Sequence, residues 1–153
     1  GVFPNLTVSE NLDLYLTTLR DRAEIGRRRG RVFEVFPLLA SRLDTPAGQL
    51  SGGQRQMLAL ALGLVHEPEV LVVDELSLGL APVVVQELRG VVERLREQGQ
   101  TMVVVEQSLN IALALADRAV FMEKGRVRFE GSARELAERD DLARAVFLGG
   151  EGG

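Results

Sequence analysis

A chain of 153 residues, 46% hydrophobic and 26% charged, is long enough to bury a core and has the balance of a globular domain. Its net charge of −4 lacks the basic excess that marks nucleic-acid binding. With no cysteine and His66 as the only histidine, disulfides, thiolate metal sites and histidine-rich metal sites are excluded. No apolar run approaches the roughly 20 residues that span a bilayer, and no charged-then-apolar leader is visible. Direct membrane insertion is not expected, so any link to a membrane would run through a protein partner.

The elements follow in chain order. Thr7-Val8-Ser9-Glu10 reads as a capping box opening a helix to about Arg20, with Leu12, Tyr15, Leu16 and Leu19 as its apolar stripe. Asp21 to Arg31 reads as a charged, glycine-punctuated connection whose Arg27-Arg28-Arg29 run is solvated. A second helix is expected from Arg31 with Val32, Val35, Phe36 and Leu39, kinked or divided at Pro37. Asp44 to Gly48 is a breaker cluster. A helix from Gln54 to about Val65 is apolar nearly all round and should be buried, and Val70 to Val73 is a short apolar run that length and β-branching assign to a strand.

Pro82 suits the first position of a helix carrying Val84, Leu88, Val91, Val92 and Leu95, with Gly99 as its stop. Thr101 to Val105 is a second β-branched strand, followed by a helix with Ile111, Leu113 and Leu115. Ala119 to Met122 and Arg126 to Phe129 read as a hairpin turning at Glu123-Lys124-Gly125, and Ser132 starts a last pair of short helices. The strand–helix alternation predicts an α/β core with a mostly parallel sheet covered by helices. Residues 1–51 form a helical subdomain, 52–131 half of the α/β core, and 132–153 the C-terminal helices and tail.

In open α/β sheets, ligands bind beyond the carboxyl ends of the strands. Both apolar strands end in polar pairs there, Asp74-Glu75 and Glu106-Gln107. Such a rim could hold a metal–phosphate, with Asp74 on the metal and Glu75 on a water, although a carboxylate capping a turn is the commoner use of this pattern. Ser51-Gly52-Gly53-Gln54 adds a hydroxyl and two glycine amides at a helix N-terminus, a donor-rich place for an anion; alone it reads better as a glycine turn that simply starts a helix.

Leu50-Ser51-Gly52-Gly53-Gln54, continued by Arg55-Gln56, resembles the signature motif of ABC ATPases. The strand ending in Asp74-Glu75 follows at the spacing of that family's Walker B strand and catalytic glutamate. Leu78-Gly79-Leu80-Ala81-Pro82 then stands at its D-loop position. The resemblance runs from about Phe3 to Gly149. Val2 to Leu12, Ser77 to Pro82, Val105-Glu106-Gln107 and Phe147-Leu148-Gly149-Gly150 are similar, more narrowly, to ATPases of branched-chain amino acid importers.

The resemblance implies the following. The fold would be part of a P-loop NTPase core with a helical signature subdomain. Ser51, Gly52, Gly53 and Gln54 would meet the γ-phosphate of ATP held by an opposing subunit. Asp74 would serve Mg²⁺, Glu75 the attacking water and Gln107 the γ-phosphate, while Leu78, Gly79, Leu80 and Ala81 would line a dimer contact. Partners would be a second ABC ATPase subunit and transmembrane permease subunits, with Phe3, Leu6 and Tyr15 bordering the permease groove. The location would be peripheral, on the cytoplasmic face of the plasma membrane.

Departures from the family pattern are Gln107 in place of the switch histidine, Leu76 for a proline, Ala81 for the D-loop aspartate and Leu62 for a frequent arginine. The chain also holds no G-x-x-x-x-G-K-S/T, since Lys124 is its only lysine and lies between Glu123 and Gly125. The expectation is a chain recorded without its first part, inactive alone and carrying one half of each composite ATP site. Alternatives are the ATPase of a urea or amide importer and a non-hydrolysing interaction fragment. A DNA-repair ABC ATPase fits less well, for want of a long coiled-coil insertion.

Overall fold

The computed structural model describes residues 1–139. The second of the two helices expected after Ser132, and the Phe147–Gly150 segment, lie outside the described residues. By compactness the chain divides into two units. One comprises Gly1–Val73 with Leu78–Val103, the other Asp74–Ser77 with the residues from Val104 onward.

The first unit opens with helix α1, Val8–Leu16. Thr7 accepts the Glu10 amide while the Glu10 carboxylate accepts the Thr7 amide, which closes the expected capping box. That backbone hydrogen bond from Thr7 holds the Glu10 carboxyl below its usual range. The helix stops earlier than the apolar stripe implies, and Val8, Leu12 and Leu16 supply its buried face.

Asn11 was not singled out by pattern, yet it is wholly buried. Its Oδ1 accepts the Phe3 amide at 2.8 Å, and its Nδ2 donates to the carbonyls of Phe3, Leu6 and Thr7 at 2.9–3.2 Å. A buried amide so fully partnered fastens the segment before α1 to the helix.

Residues expected as a solvated connection are helical: α2 spans Arg22–Val35, with Asp21 capping the Ala23 amide. Gly26 and Gly30 lower its intrinsic propensity, and ion pairs offset this. Arg27 and Arg28 both reach Glu24 at 2.7 Å, one helical turn away. Arg27 and Arg31 also bind Glu67, at 2.6 and 3.1 Å, and Arg28 donates to the Val65 carbonyl. Arg29 pairs with Asp13 and lies 5.8 Å from the Phe33 ring. The arginine run is therefore an anchored helix face, a correction that sequence spacing could not supply because Glu67 is forty positions from Arg27.

Pro37 divides the helix as expected, opening the short α3, Pro37–Ala40. A 3-10 turn at Ala47–Gln49 lies in the breaker cluster. Helix α4, Gly52–Leu64, buries Met57, Leu58, Leu60, Ala61, Leu62 and Leu64. It packs on strand β1, Val70–Asp74, closely enough that a Cβ at Gly63 would stand 3.0 Å from Leu71. Helix α5, Pro82–Glu97, has Pro82 in its first turn and ends at Gly99, whose φ of +78° suits glycine. It leads to strand β2, Thr101–Val105, which pairs with β1. A helix between neighbouring strands is the crossover that parallel pairing requires.

Val70 to Val73 is apolar without interruption, as in a strand buried on both faces. Among the described residues only one face is covered. Leu71 and Val73 are buried, whereas Val72 is 65% and Val103 48% exposed.

The second unit contains helix α6, Leu109–Leu115, and an antiparallel hairpin of β3, Arg118–Glu123, and β4, Arg126–Ser132. Lys124 and Gly125 both have positive φ, the paired left-handed turn that joins twisted strands tightly. Phe121 faces Phe129 across the ladder, and a register shift follows Phe121. Helix α7, Ala133–Ala137, begins at a third capping box, Ser132 with Glu135.

The Glu67 cluster carries a pH dependence. Hydrogen bonds from Arg27, with Arg31 adding, hold the Glu67 carboxyl at about 2, and those from Arg27 and Arg28 hold Glu24 at about 2. Both lie below a glutamate's ordinary 4.5, so the stabilisation is complete above that pH and fades as pH falls toward 2. Thermal unfolding of Glu67→Gln should show a deficit on the order of 1 kcal/mol at neutral pH. That deficit should shrink through this acid window; one that stayed constant would mean the pairs contribute nothing.

Candidate functional site

Two groups of candidate residues stand out, one in each unit. In the first, Ser51 precedes α4 in extended conformation, with φ −62° and ψ 165°, and caps it. Its Oγ accepts the Gln54 amide at 3.2 Å, and Gln54 Oε1 accepts the Ser51 amide at 3.1 Å. Arg55 Nη1 donates to the Leu50 carbonyl at 2.8 Å and ties down the preceding turn. A hydroxyl that accepts from the helix keeps its own proton free to donate. Ser51 and Gly52 are exposed, Gln54 is half-buried and Gly53 is buried.

The two glycines serve different purposes here. A Cβ on Gly52 would find only Leu80 Cδ2, at an ordinary 3.6 Å, whereas a Cβ on Gly53 would lie 2.1 Å from Val84 Cγ1. Both stand where a helix N-terminus offers backbone amides to an anion. For Gly53 the geometry adds a second requirement, close packing of α4 on α5. Leu80 and Val84 thus bring the segment Leu78–Ala81 and the start of α5 against the head of α4. Leu78, Gly79 and Ala81 are exposed, and Gly79 has φ +71°.

In the second unit, the ends of β1 and β2 meet. Asp74, the last residue of β1, is exposed, and no hydrogen bond or ion pair to a described residue engages its carboxylate. Glu75 has φ +52°, a left-handed conformation that costs a non-glycine residue about 1–3 kcal/mol and is held only where its surroundings fix it. Its amide donates to the Val105 carbonyl at 2.9 Å, and its Oε1 accepts from Gln107 Nε2 at 2.5 Å. Gln107 thus addresses the Glu75 carboxylate directly.

Glu106 and Ser77 form a contact that strand-end pattern alone did not foretell. One Glu106 oxygen accepts the Ser77 amide and the other the Ser77 hydroxyl, both at 2.9 Å. The signal available in sequence was only that both strands end in polar residues.

Among the described residues, no group of three or more histidine, cysteine, aspartate or glutamate side chains could hold a metal by itself. Mg²⁺ in phosphoryl-transfer sites is commonly held by one carboxylate together with substrate phosphates and water, which asks of the chain a single accessible carboxylate. Asp74 meets the requirement. His66, just beyond the end of α4, is exposed with its ring centroid 6.1 Å from that of Tyr15.

The family model for ABC transporters matches residues 1–77. This chain belongs to the ABC transporter family. It is 40% identical over 151 residues to the high-affinity branched-chain amino acid transport ATP-binding protein BraG of Pseudomonas aeruginosa, covering 97% of this chain and 63% of that protein. It is 39% identical to the probable branched-chain amino acid transport ATP-binding protein LivF of Archaeoglobus fulgidus, covering 94% of this chain and 61% of that one. The chain therefore spans less than two thirds of the length of these curated relatives. The structure of cbiO1 from Clostridium perfringens, described as part of the ABC transporter complex cbiONQ, superposes with a TM-score of 0.82 at 28% identity. It covers 96% of this chain and 59% of that one. The fold is that of ABC ATPases, a mixed α/β P-loop NTPase architecture. Among the described residues, no helix is long and apolar enough to cross a membrane.

The contact at Gly53 yields a sharp test. Gly53→Ala should destabilise the chain by about 1–3 kcal/mol, the usual penalty of overpacking. Because all three nearest atoms belong to Val84, Val84→Ala in the same chain should recover much of that loss. Equal melting of Gly53→Ala and wild type would remove the packing role.

Proposed function

We propose that this chain carries the signature loop and the catalytic carboxylates of an importer ATPase that couples ATP hydrolysis to uptake of branched-chain amino acids. The observation that carries the proposal is the Glu75 carboxylate, held by Gln107 at 2.5 Å beside the exposed Asp74 at the ends of two strands. Similarity to BraG and LivF supports the substrate class. A cytoplasmic, peripheral location and partnership with permease subunits and a second ATPase subunit belong to the same proposal. So does a permease border at Phe3, Leu6 and Tyr15, of which Phe3 is exposed and the other two half-buried.

Asp74 would hold Mg²⁺, which when bound neutralises charge on the transferring phosphates. The Glu75 carboxylate aligns a water for in-line attack and accepts its proton. Gln107, lacking an imidazole, carries no proton in this scheme. Its amide orients Glu75 and can turn to donate to a γ-phosphate oxygen. Ser51, through its free hydroxyl proton, and the first amides of α4 donate to the γ-phosphate of a nucleotide on the opposing subunit, where the helix N-terminus favours negative charge. Leu78, Gly79, Leu80 and Ala81 form the contact with that subunit.

Glu75→Gln, made in the intact protein that contains this chain, should lower ATP turnover by about 10²-fold or more while ATP binding persists. Unchanged turnover would dismiss Glu75 as the group acting on water. The 153 residues by themselves contain no lysine-bearing phosphate loop, Lys124 being placed in the β3–β4 turn. Purified chain should thus release no phosphate from ATP above background. Release that Glu75→Gln abolishes would contradict this.

A further inference from the structure

We infer that Glu106 is a positioning residue for the hydrolytic reaction, acting through Ser77 to hold the turn that presents Glu75. The inference rests on the catalytic role proposed for Glu75. Three successive residues at the end of β2 grip the three-residue turn that leaves β1. The Val105 carbonyl takes the Glu75 amide at 2.9 Å. The Glu106 carboxylate takes the amide and hydroxyl of Ser77, each at 2.9 Å. Gln107 reaches the Glu75 side chain at 2.5 Å.

Leu76, between the two gripped residues, is buried at 2% exposure, so the turn is held from its hydrophobic side as well. Glu75 is the strained member, with its backbone at φ +52°. A left-handed residue persists only where its neighbours over-determine it. Of the four hydrogen bonds, only the two to Glu106 fix the residue beyond Glu75. Without them the turn is clamped on one side alone, and the carboxylate loses its fixed direction.

Geometry separates positioning from charge. Glutamine at 106 could accept the Ser77 amide through its oxygen and donate its amide proton to the Ser77 hydroxyl oxygen, keeping two hydrogen bonds without the negative charge. Alanine keeps neither. A positioning role therefore predicts that glutamine substitutes and alanine does not. A role for the charge itself, in proton transfer or metal binding, predicts that both fail.

The test uses the intact ATPase in complex with its permease. Glu106→Ala should lower kcat about tenfold or more, because small misplacements of catalytic groups are costly, while KM for ATP stays within about twofold. Glu106→Gln should restore most of that kcat. Hydrogen exchange of the peptide containing Ser77, in the same complexes, should accelerate in Glu106→Ala and remain slow in Glu106→Gln. Wild-type kcat in Glu106→Ala, or Glu106→Gln as slow as Glu106→Ala, overturns the inference. So does unaltered exchange at Ser77 in the alanine variant. Glu75→Gln in parallel distinguishes the two levels: if it turns over normally, the proposed function falls, while the exchange measurement still reports on the Glu106–Ser77 clamp.

Discussion

Glu75 sits where β1 stops being a strand, in a backbone conformation that a side chain adopts reluctantly, and its amide still stays in the sheet by donating to Val105. This local contradiction organises the second unit. The left-handed residue turns the chain sharply, so that Asp74 finishes the strand exposed and Ser77 comes back to the end of β2. Hydrogen bonds from one short turn to Val105, at the end of β2, and to the two residues that follow it are what the strain is set against. The energy of any one of them is modest; together they make a single arrangement the favourable one.

The first unit solves a different problem by similar means. Its helices are joined by satisfied polar groups as much as by apolar packing. Asn11 closes the segment before α1 with four hydrogen bonds, and Glu67 gathers arginines from α2 at the turn that follows α4. Glu67 has φ +51°, again a left-handed side-chain-bearing residue held by its partners. The head of α4 is shaped by a steric demand as well as by its cap. Gly53 allows Val84 to approach within a distance that no Cβ tolerates. A capped helix end and a tight helix–helix contact are thereby built from adjacent residues.

What pattern reading recovers well are features whose cause is local. The capping box at Thr7 satisfies orphan amides with side chains three residues apart. Pro82 in the first turn of α5, Gly99 after its end and the Lys124-Gly125 turn follow from backbone geometry alone. Helix α2 escaped because its two glycines weigh against a helix locally, while part of what holds it, Glu67, is remote in sequence. The strands were legible in type but not in exposure, since an apolar run does not say which of its faces this chain covers.

The sequence by itself determined the motif order, from Ser51-Gly52-Gly53-Gln54 to Asp74-Glu75 to Glu106-Gln107, and with it the family, because side-chain type and spacing are written in the chain. Only the tertiary structure decided that Gln107 addresses Glu75, that Glu106 clamps Ser77, and that Gly53 is required by Val84. Those contacts depend on distances between residues tens of positions apart, which are set by strand pairing and helix packing and have no signature in any local window.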